Sequence, residues 1–294
     1  MADSTIVGRQ PWLPPPLATS KWWTVPVAAE RLAAVRIGVG LTLVGDVLGT
    51  YLPRSGDLFG AGSVTQASDV PSPASLVHRL LLSPLADAQL WQALLLLWAL
   101  SGVLLAAGVL TRWAAAFAWY VSASSVAINP WLHNAGDQVR TILLLLLVVA
   151  PSDAVWSVLK TRPKTPTLIY PWPLNLLAVQ MATIYFMNGL FKAFGADWRT
   201  GQASAAILGD TGWIRFPLAS LGIPRIALQL SDWLVVLWEL GFPFFMLHPR
   251  LRTATLVFGV LFHVVTAITM RVGMFPAYML CLYLMFIPWE KWRQ

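Results

Sequence analysis

The sequence predicts an all-α fold, a polytopic membrane helical bundle of about eight transmembrane helices, and three observations carry that prediction. Hydrophobic residues make up 57% of the chain and charged residues 11%, against roughly 45–50% and 25% in soluble domains. Apolar segments recur near 30–51, 89–110, 112–129, 136–151, 172–194, 226–247, 251–270 and 273–288, on the length scale of a hydrocarbon layer of roughly 30 Å. Many of the tryptophans, such as Trp91, Trp113, Trp131, Trp172 and Trp289, fall near the ends of those segments, where indole prefers the headgroup zone. The third, fourth and eighth segments are short, so seven spans is the alternative count.

In chain order, residues 1–28 contain "PWLPPP" and no continuous apolar core, which is the pattern of a cytosolic arm rather than of a cleavable leader. The remainder, 29–294, reads as a single transmembrane helical domain. Two connections are too polar and too broken by Gly and Pro to cross. Residues 52–88 hold "PRSGDLFGAGS" and then "SLVHRLLLSPL", whose apolar cluster suits a short amphipathic helix on the bilayer surface. Residues 196–225 hold "DWRTGQASAAILGDTGWIRFPLASLGIP". That segment is expected to fold back over the outer mouth of the bundle, because lipid-exposed polar backbone must be satisfied.

Orientation follows from where Lys and Arg fall. With the N-terminus in the cytosol, eight spans place eleven basic residues inside and seven outside, with Arg36 and Lys192 left within spans. Both termini are therefore expected to be cytoplasmic, the location an integral bacterial inner membrane, and both long connections non-cytosolic.

Several function classes are excluded by what the chain lacks. A single cysteine, Cys281, rules out an internal disulfide, a CxxC redox pair and a thiolate metal cluster. The four histidines are scattered, so neither a metal site nor a haem with paired axial histidines is expected. The net charge of +7 is dispersed among membrane loops, so the expected partners are membrane lipids with anionic headgroups and not nucleic acid. The ionisable groups form no continuous midplane path, which leaves a transporter weakly supported.

Ionisable residues within spans are functional candidates by default. Asp137 and Arg140 stand three apart at a span start, the spacing of a helical ion pair. Arg36 and Asp46 lie nearly three turns apart and each needs a partner elsewhere. Glu239 is placed to accept a cation from a neighbouring helix. His263, in an apolar run, reads either as a hydrogen-bonded core residue or as part of a site. Lys192 closes the stretch Leu174–Phe191 and shares a helix face with Tyr185 and Asn188, within about 60° at 100° per residue. It either snorkels to the interface or faces an interior pocket as a general base.

The stretch "IYFMNGLFKAFGADWRTGQA" resembles the motif of the vitamin K-dependent gamma-glutamyl carboxylases and of the broader horizontally transferred transmembrane (HTTM) domain family. The matching residues are Gly189, Lys192, Asp197, Trp198 and Gly201. Two further matches are "FHVVTAITMRVGMFPAYMLCLYLMFIPWEKWR", with Phe262-His263 and then Val272-Gly273-Met274-Phe275, and "VWSV" at 155–158. The resemblance implies chemistry on a membrane quinol, menaquinol or vitamin K-like, with no metal. It implies Lys192 as the catalytic base; the residues expected around the quinol are Tyr185 and Asn188, from the helix face shared with Lys192, together with His133, His263 and Trp198. The carboxylases carry a functional histidine at the start of the fourth span. A gapless count back from "VWSV" places it on Gly136, so His133 takes that part only if the loop shifts.

Two function classes follow. The first is a quinol-dependent, carboxylase-like enzyme with an outward-facing site, its substrate recognised by a separate chain, because this sequence stops six residues after Pro288 where eukaryotic carboxylases continue into a lumenal part. The second is a non-catalytic helical subunit of a larger membrane or electron-transfer complex that packs a lipid or a quinone.

Overall fold

The computed structural model describes residues 21–59, 88–128, 134–160 and 165–292. His133, most of the 1–28 arm and the "SLVHRLLLSPL" stretch lie outside the described residues. The principal helices are α1 (Glu30–Asp46), α2 (Ala88–Ala107), α3 (Thr111–Ile128), α4 (Ala135–Val149), α5 (Trp172–Phe194), α6 (Arg225–Leu247), α7 (Pro249–Thr269) and α8 (Phe275–Tyr283). Strand is confined, among the described residues, to the two-residue stretches Val27–Ala28 and Leu168–Ile169. Each apolar segment of the sequence corresponds to one of these helices. Among the described residues, five stretches are long and apolar enough to cross a membrane: Glu30–Leu58, Leu90–Ala107, α5, α6 and α7; Phe275–Phe286 is a shorter apolar helix.

The chain divides into two compact units, Met1–Val27 with Leu168–Val272, and Ala28–Thr167 with Gly273–Gln294. In both, the distribution of polarity is the reverse of a soluble protein's. Arg36, Arg140, Asp46, Asp137, Asp232, Glu239 and His263 are buried, while Leu96, Leu97, Leu100, Val257, Leu261, Val265 and Ile268 stand exposed. Burying charge while exposing leucine is stable only where the surrounding solvent is apolar. This is an integral membrane protein.

In the second unit α1 and α2 cross where glycine faces glycine. A Cβ on Gly40 would lie 2.6 Å from the Gly102 carbonyl oxygen, and one on Gly102 would lie 2.9 Å from the Gly40 oxygen, so only small residues permit this approach. After Asp46 the helix widens into a π-turn, Val47–Tyr51, a local insertion that turns Tyr51 inward. Helix α4 begins with a capping box. The Asn134 side chain accepts from the Gly136 N–H at 2.7 Å and the Asp137 carboxylate from the Asn134 N–H at 2.9 Å, satisfying donors that a helix start leaves open.

Arg140, with no exposed surface, collects the polar groups of this unit. It is ion-paired to Asp46 at 2.7 Å and to Asp137 at 2.9 Å, so the three-residue spacing in the sequence is an ion pair. Its Nε donates to Ser122 at 3.0 Å, Tyr278 donates to Asp46 at 3.0 Å, and Tyr51 donates to Asp137 at 3.1 Å. The Trp98 ring lies 4.9 Å from the guanidinium. Arg36 finds its partners in backbone: the carbonyls of Ser152 at 2.9 Å and Trp156 at 2.6 Å. That contact accompanies a positive φ of 54° at Trp156, a conformation that costs a non-glycine residue about 1–2 kcal/mol.

Candidate functional site

The first unit supplies the site from α5, α6 and α7. Helix α5 buries Leu174, Leu177, Met181, Tyr185 and Gly189 along one face, an i, i+4 stripe. Gly189 is the contact point with α6: a Cβ there would lie 2.7 Å from the Leu240 nitrogen and 2.9 Å from the Glu239 Cβ. One turn further along α5, Lys192 meets Glu239 in an ion pair. The close crossing at Gly189 is what brings amine and carboxylate together. The lysine side chain is 19% exposed and the glutamate 4%, so the pair is drawn into the protein.

The second polar contact of the unit is Tyr185 with His263. The phenol oxygen lies 2.6 Å from Nε2 of a histidine with no exposed surface. Aromatic rings enclose it. Tyr185 packs edge-on to Trp238 at 4.6 Å and against Phe242 at 4.4 Å. Trp238 in turn contacts Phe258 at 5.0 Å and Phe262 at 5.5 Å, and its indole N–H donates to the Thr255 carbonyl. Flat, apolar walls with a few convergent polar groups are the usual lining of a small-molecule site.

Trp198 reaches the same place from the short helix Ala196–Thr200. Its ring centroid lies 5.0 Å from the Lys192 ammonium, within cation–π range. That helix is held to α6 by backbone and side-chain bonds. The Gln229 amide donates to the Thr200 carbonyl at 3.0 Å and the Trp233 indole to the Arg199 carbonyl at 3.1 Å. Gly201 closes the helix at φ 68°, with the Gln229 side chain filling the space a Cβ would need. Asp232 then receives the Ser204 N–H at 3.0 Å and its hydroxyl at 2.5 Å, fixing the start of the next short helix, Ala203–Gly209. Further on, Arg215 N–H donates to the Thr269 carbonyl and Arg271 N–H to that of Trp213, tying the connection to the end of α7.

The structure thus brings Lys192 together with Trp198, and Tyr185 together with His263. Asn188 is exposed and its amide donates to the Ile184 carbonyl of its own helix. The 60° by which it departs from Tyr185 on the helical wheel carries it past the edge of the buried face. Gly136, where the gapless count sets the family histidine, admits no side chain: a Cβ would lie 2.9 Å from the Phe275 Cα. Glu239, expected from the sequence to accept a cation from a neighbouring helix, does so from Lys192 of α5, although the sequence did not say which cation. Its signal was an acidic residue in an apolar span, and its partner depends on a helix crossing that no local pattern encodes. Among the described residues no group of His, Cys, Asp and Glu is arranged to hold a metal ion.

No curated protein and no solved structure matches the chain. The HTTM domain matches it over residues 25–292, a range that contains every residue of the site just described, and the chain belongs to the HTTM domain family, a membrane domain of the carboxylase family.

Proposed function

We propose that this protein is a membrane enzyme acting on a quinol, carboxylase-like in its chemistry, with Lys192 as the base. The observation that carries the reading is the position of Lys192. A lysine that only anchors a helix end extends to the headgroups. This one is paired with a carboxylate of α6 that is 4% exposed, and its ammonium lies 5.0 Å from the centroid of an indole ring.

The residues fit a quinol in kind. The Tyr185 and His263 pair and the Lys192 amine offer hydrogen bonds to hydroxyls, and Trp198, Trp238, Phe242 and Phe262 offer flat apolar surface. A bound quinol supplies an acidic hydroxyl and reducing power. Lys192 accepts the proton at Nζ, His263 and Tyr185 orient the ring oxygens, and the aromatic side chains exclude water, which strengthens each of these contacts. By the charge count of the loops the site opens away from the cytosol.

The Lys192–Glu239 ion pair also favours a second reading, a non-catalytic subunit in which the pair joins α5 to α6 and the family scaffold packs a lipid or quinone within a larger complex. One experiment separates the two. Lipids extracted from purified protein contain a stoichiometric quinone under the first reading, and Lys192→Met then folds and inserts normally while quinol-dependent turnover falls about 10²–10⁴-fold, the scale of general-base loss. Normal folding of that variant with no change in chemistry, only in assembly with partner subunits, establishes the second reading.

A further inference from the structure

We infer that Glu239 is the proton acceptor behind Lys192, a positioning residue that makes the lysine a relay. The inference rests on the proposed role of Lys192 as a base and adds a residue to it. An ammonium held against a carboxylate has no lone pair to offer. For Lys192 to act on an acidic hydroxyl it must first shed a proton, and the group in contact with it is Glu239 Oε1.

Glu239 is built to take that proton. Its second oxygen, Oε2, is buried and has no hydrogen-bond partner among the described residues. Even with Oε1 ion-paired to Lys192, a buried carboxylate oxygen without a donor is desolvated without a compensating hydrogen bond, and protonation of the carboxylate lowers that cost. The backbone contact at Gly189 holds the Glu239 Cβ against α5, which fixes the distance over which the proton moves. Pro243, four residues on in α6, supplies no N–H to the Glu239 carbonyl, so α6 leaves polar capacity at this level too.

Of the other ionisable groups of the unit, Asp197 beside Trp198 is exposed, and the buried ones are engaged elsewhere. His263 is bonded to Tyr185 and Asp232 to Ser204. Glu239 is therefore the carboxylate through which a proton leaves Lys192.

The transfer balances. One N–H bond at Lys192 Nζ breaks as one O–H bond forms at Glu239. The nitrogen pair so freed makes a new N–H bond with the proton of an acidic hydroxyl, whose oxygen keeps the electrons of the old bond. Lys192 ends as it began, an ammonium, and Glu239 ends neutral. The net charge of the site is unchanged throughout, so no isolated charge is created inside the protein, the outcome that buried ion pairs must avoid.

The test uses the full chain in detergent or nanodiscs, with menadiol as the probe and oxygen excluded, so that no turnover is required. Infrared difference spectra before and after menadiol are expected to show a protonated-carboxyl band appear in the wild type and not in Glu239→Gln, although equilibrium dialysis shows that both bind the probe. In Lys192→Met the carboxyl has lost its cation, so the band is present before menadiol is added and does not change afterwards. With oxygen restored, Glu239→Gln loses turnover about 10²-fold, and Glu239→Asp recovers part of it.

Wild type that binds menadiol and turns over without the carboxyl band, or an unchanged band in Glu239→Gln, overturns the relay and leaves Lys192 as the base. Wild type that binds no menadiol overturns the quinol reading and the relay together.

Discussion

Arg140 sits at the centre of five groups, two carboxylates, two phenols and a serine, with none of its own surface exposed. Breaking such a cluster by removing the cation leaves Asp46 and Asp137 buried without it, which costs about 3–5 kcal/mol, whereas replacing all the charges together with neutral side chains of similar shape is far less costly. Arg140→Met alone is expected to lower the thermal midpoint sharply in detergent, and the triple variant with Asp46→Asn and Asp137→Asn to recover most of that loss. A single variant as stable as the parent would show that the cluster is not what holds α1, α4 and α8 in register. The Asp137–Arg140 half of this cluster was legible in the sequence, because a pair three residues apart on a helix meets by geometry alone. The Asp46 half was not, because Asp46 and Arg140 are 94 residues apart and meet only through helix packing. The same distinction separates Tyr185, whose inward position follows from the periodicity of α5, from Glu239, whose partner is 47 residues away.

The helices themselves were legible because each is an apolar run closed by polar, Gly or Pro residues, and their observed ends fall close to the runs. Departures from regular helix were not. The π-turn at Val47–Tyr51 holds Gly49 and precedes Pro53, which mark a weak point in the helix without specifying a π-turn; there the Tyr51 hydroxyl accepts from Arg140. The 196–225 connection lies between these cases. Its Gly and Pro content predicted that it would not span, and the short helices Ala196–Thr200 and Ala203–Gly209 bear this out. What fastens it is Gly201, whose φ of 68° suits glycine and whose missing side chain makes room for Gln229. Gly201→Leu adds a left-handed backbone penalty of about 1–2 kcal/mol to a steric clash that displaces the helix carrying Trp198. That variant should melt well below the parent, while Gly209→Leu, with nothing within 4 Å of a Cβ, should not. Equal midpoints for the two would argue that this connection does not pack tightly along α6.

At the scale of the whole chain, each of the two units buries its few charged groups and exposes apolar side chains along its described helices, which is what a chain solvated by lipid requires. Sidedness is then set by where basic residues were left during insertion, not by packing, so it is argued from the loops. Eleven basic residues fall on one side and seven on the other when eight segments cross and both termini lie together. Lys160, exposed in the turn after α4 and ion-paired with Asp153 at 2.6 Å, belongs to the richer side. Gly56 and Gly209, both exposed and with open space around them, belong to the poorer. The sole native cysteine, Cys281, is buried and contributes little background to a thiol reagent. In intact cells an impermeant maleimide should therefore label Gly56→Cys and Gly209→Cys and leave Lys160→Cys unlabelled until the membrane is opened. Labelling of Lys160→Cys from outside would reverse the orientation and with it the side on which the Lys192 site opens. Labelling of Gly56→Cys but not Gly209→Cys would instead mean that an odd number of segments crosses between them, and one of the short helices α3 and α4 would be the first to be reassigned as lying within the bundle without spanning it.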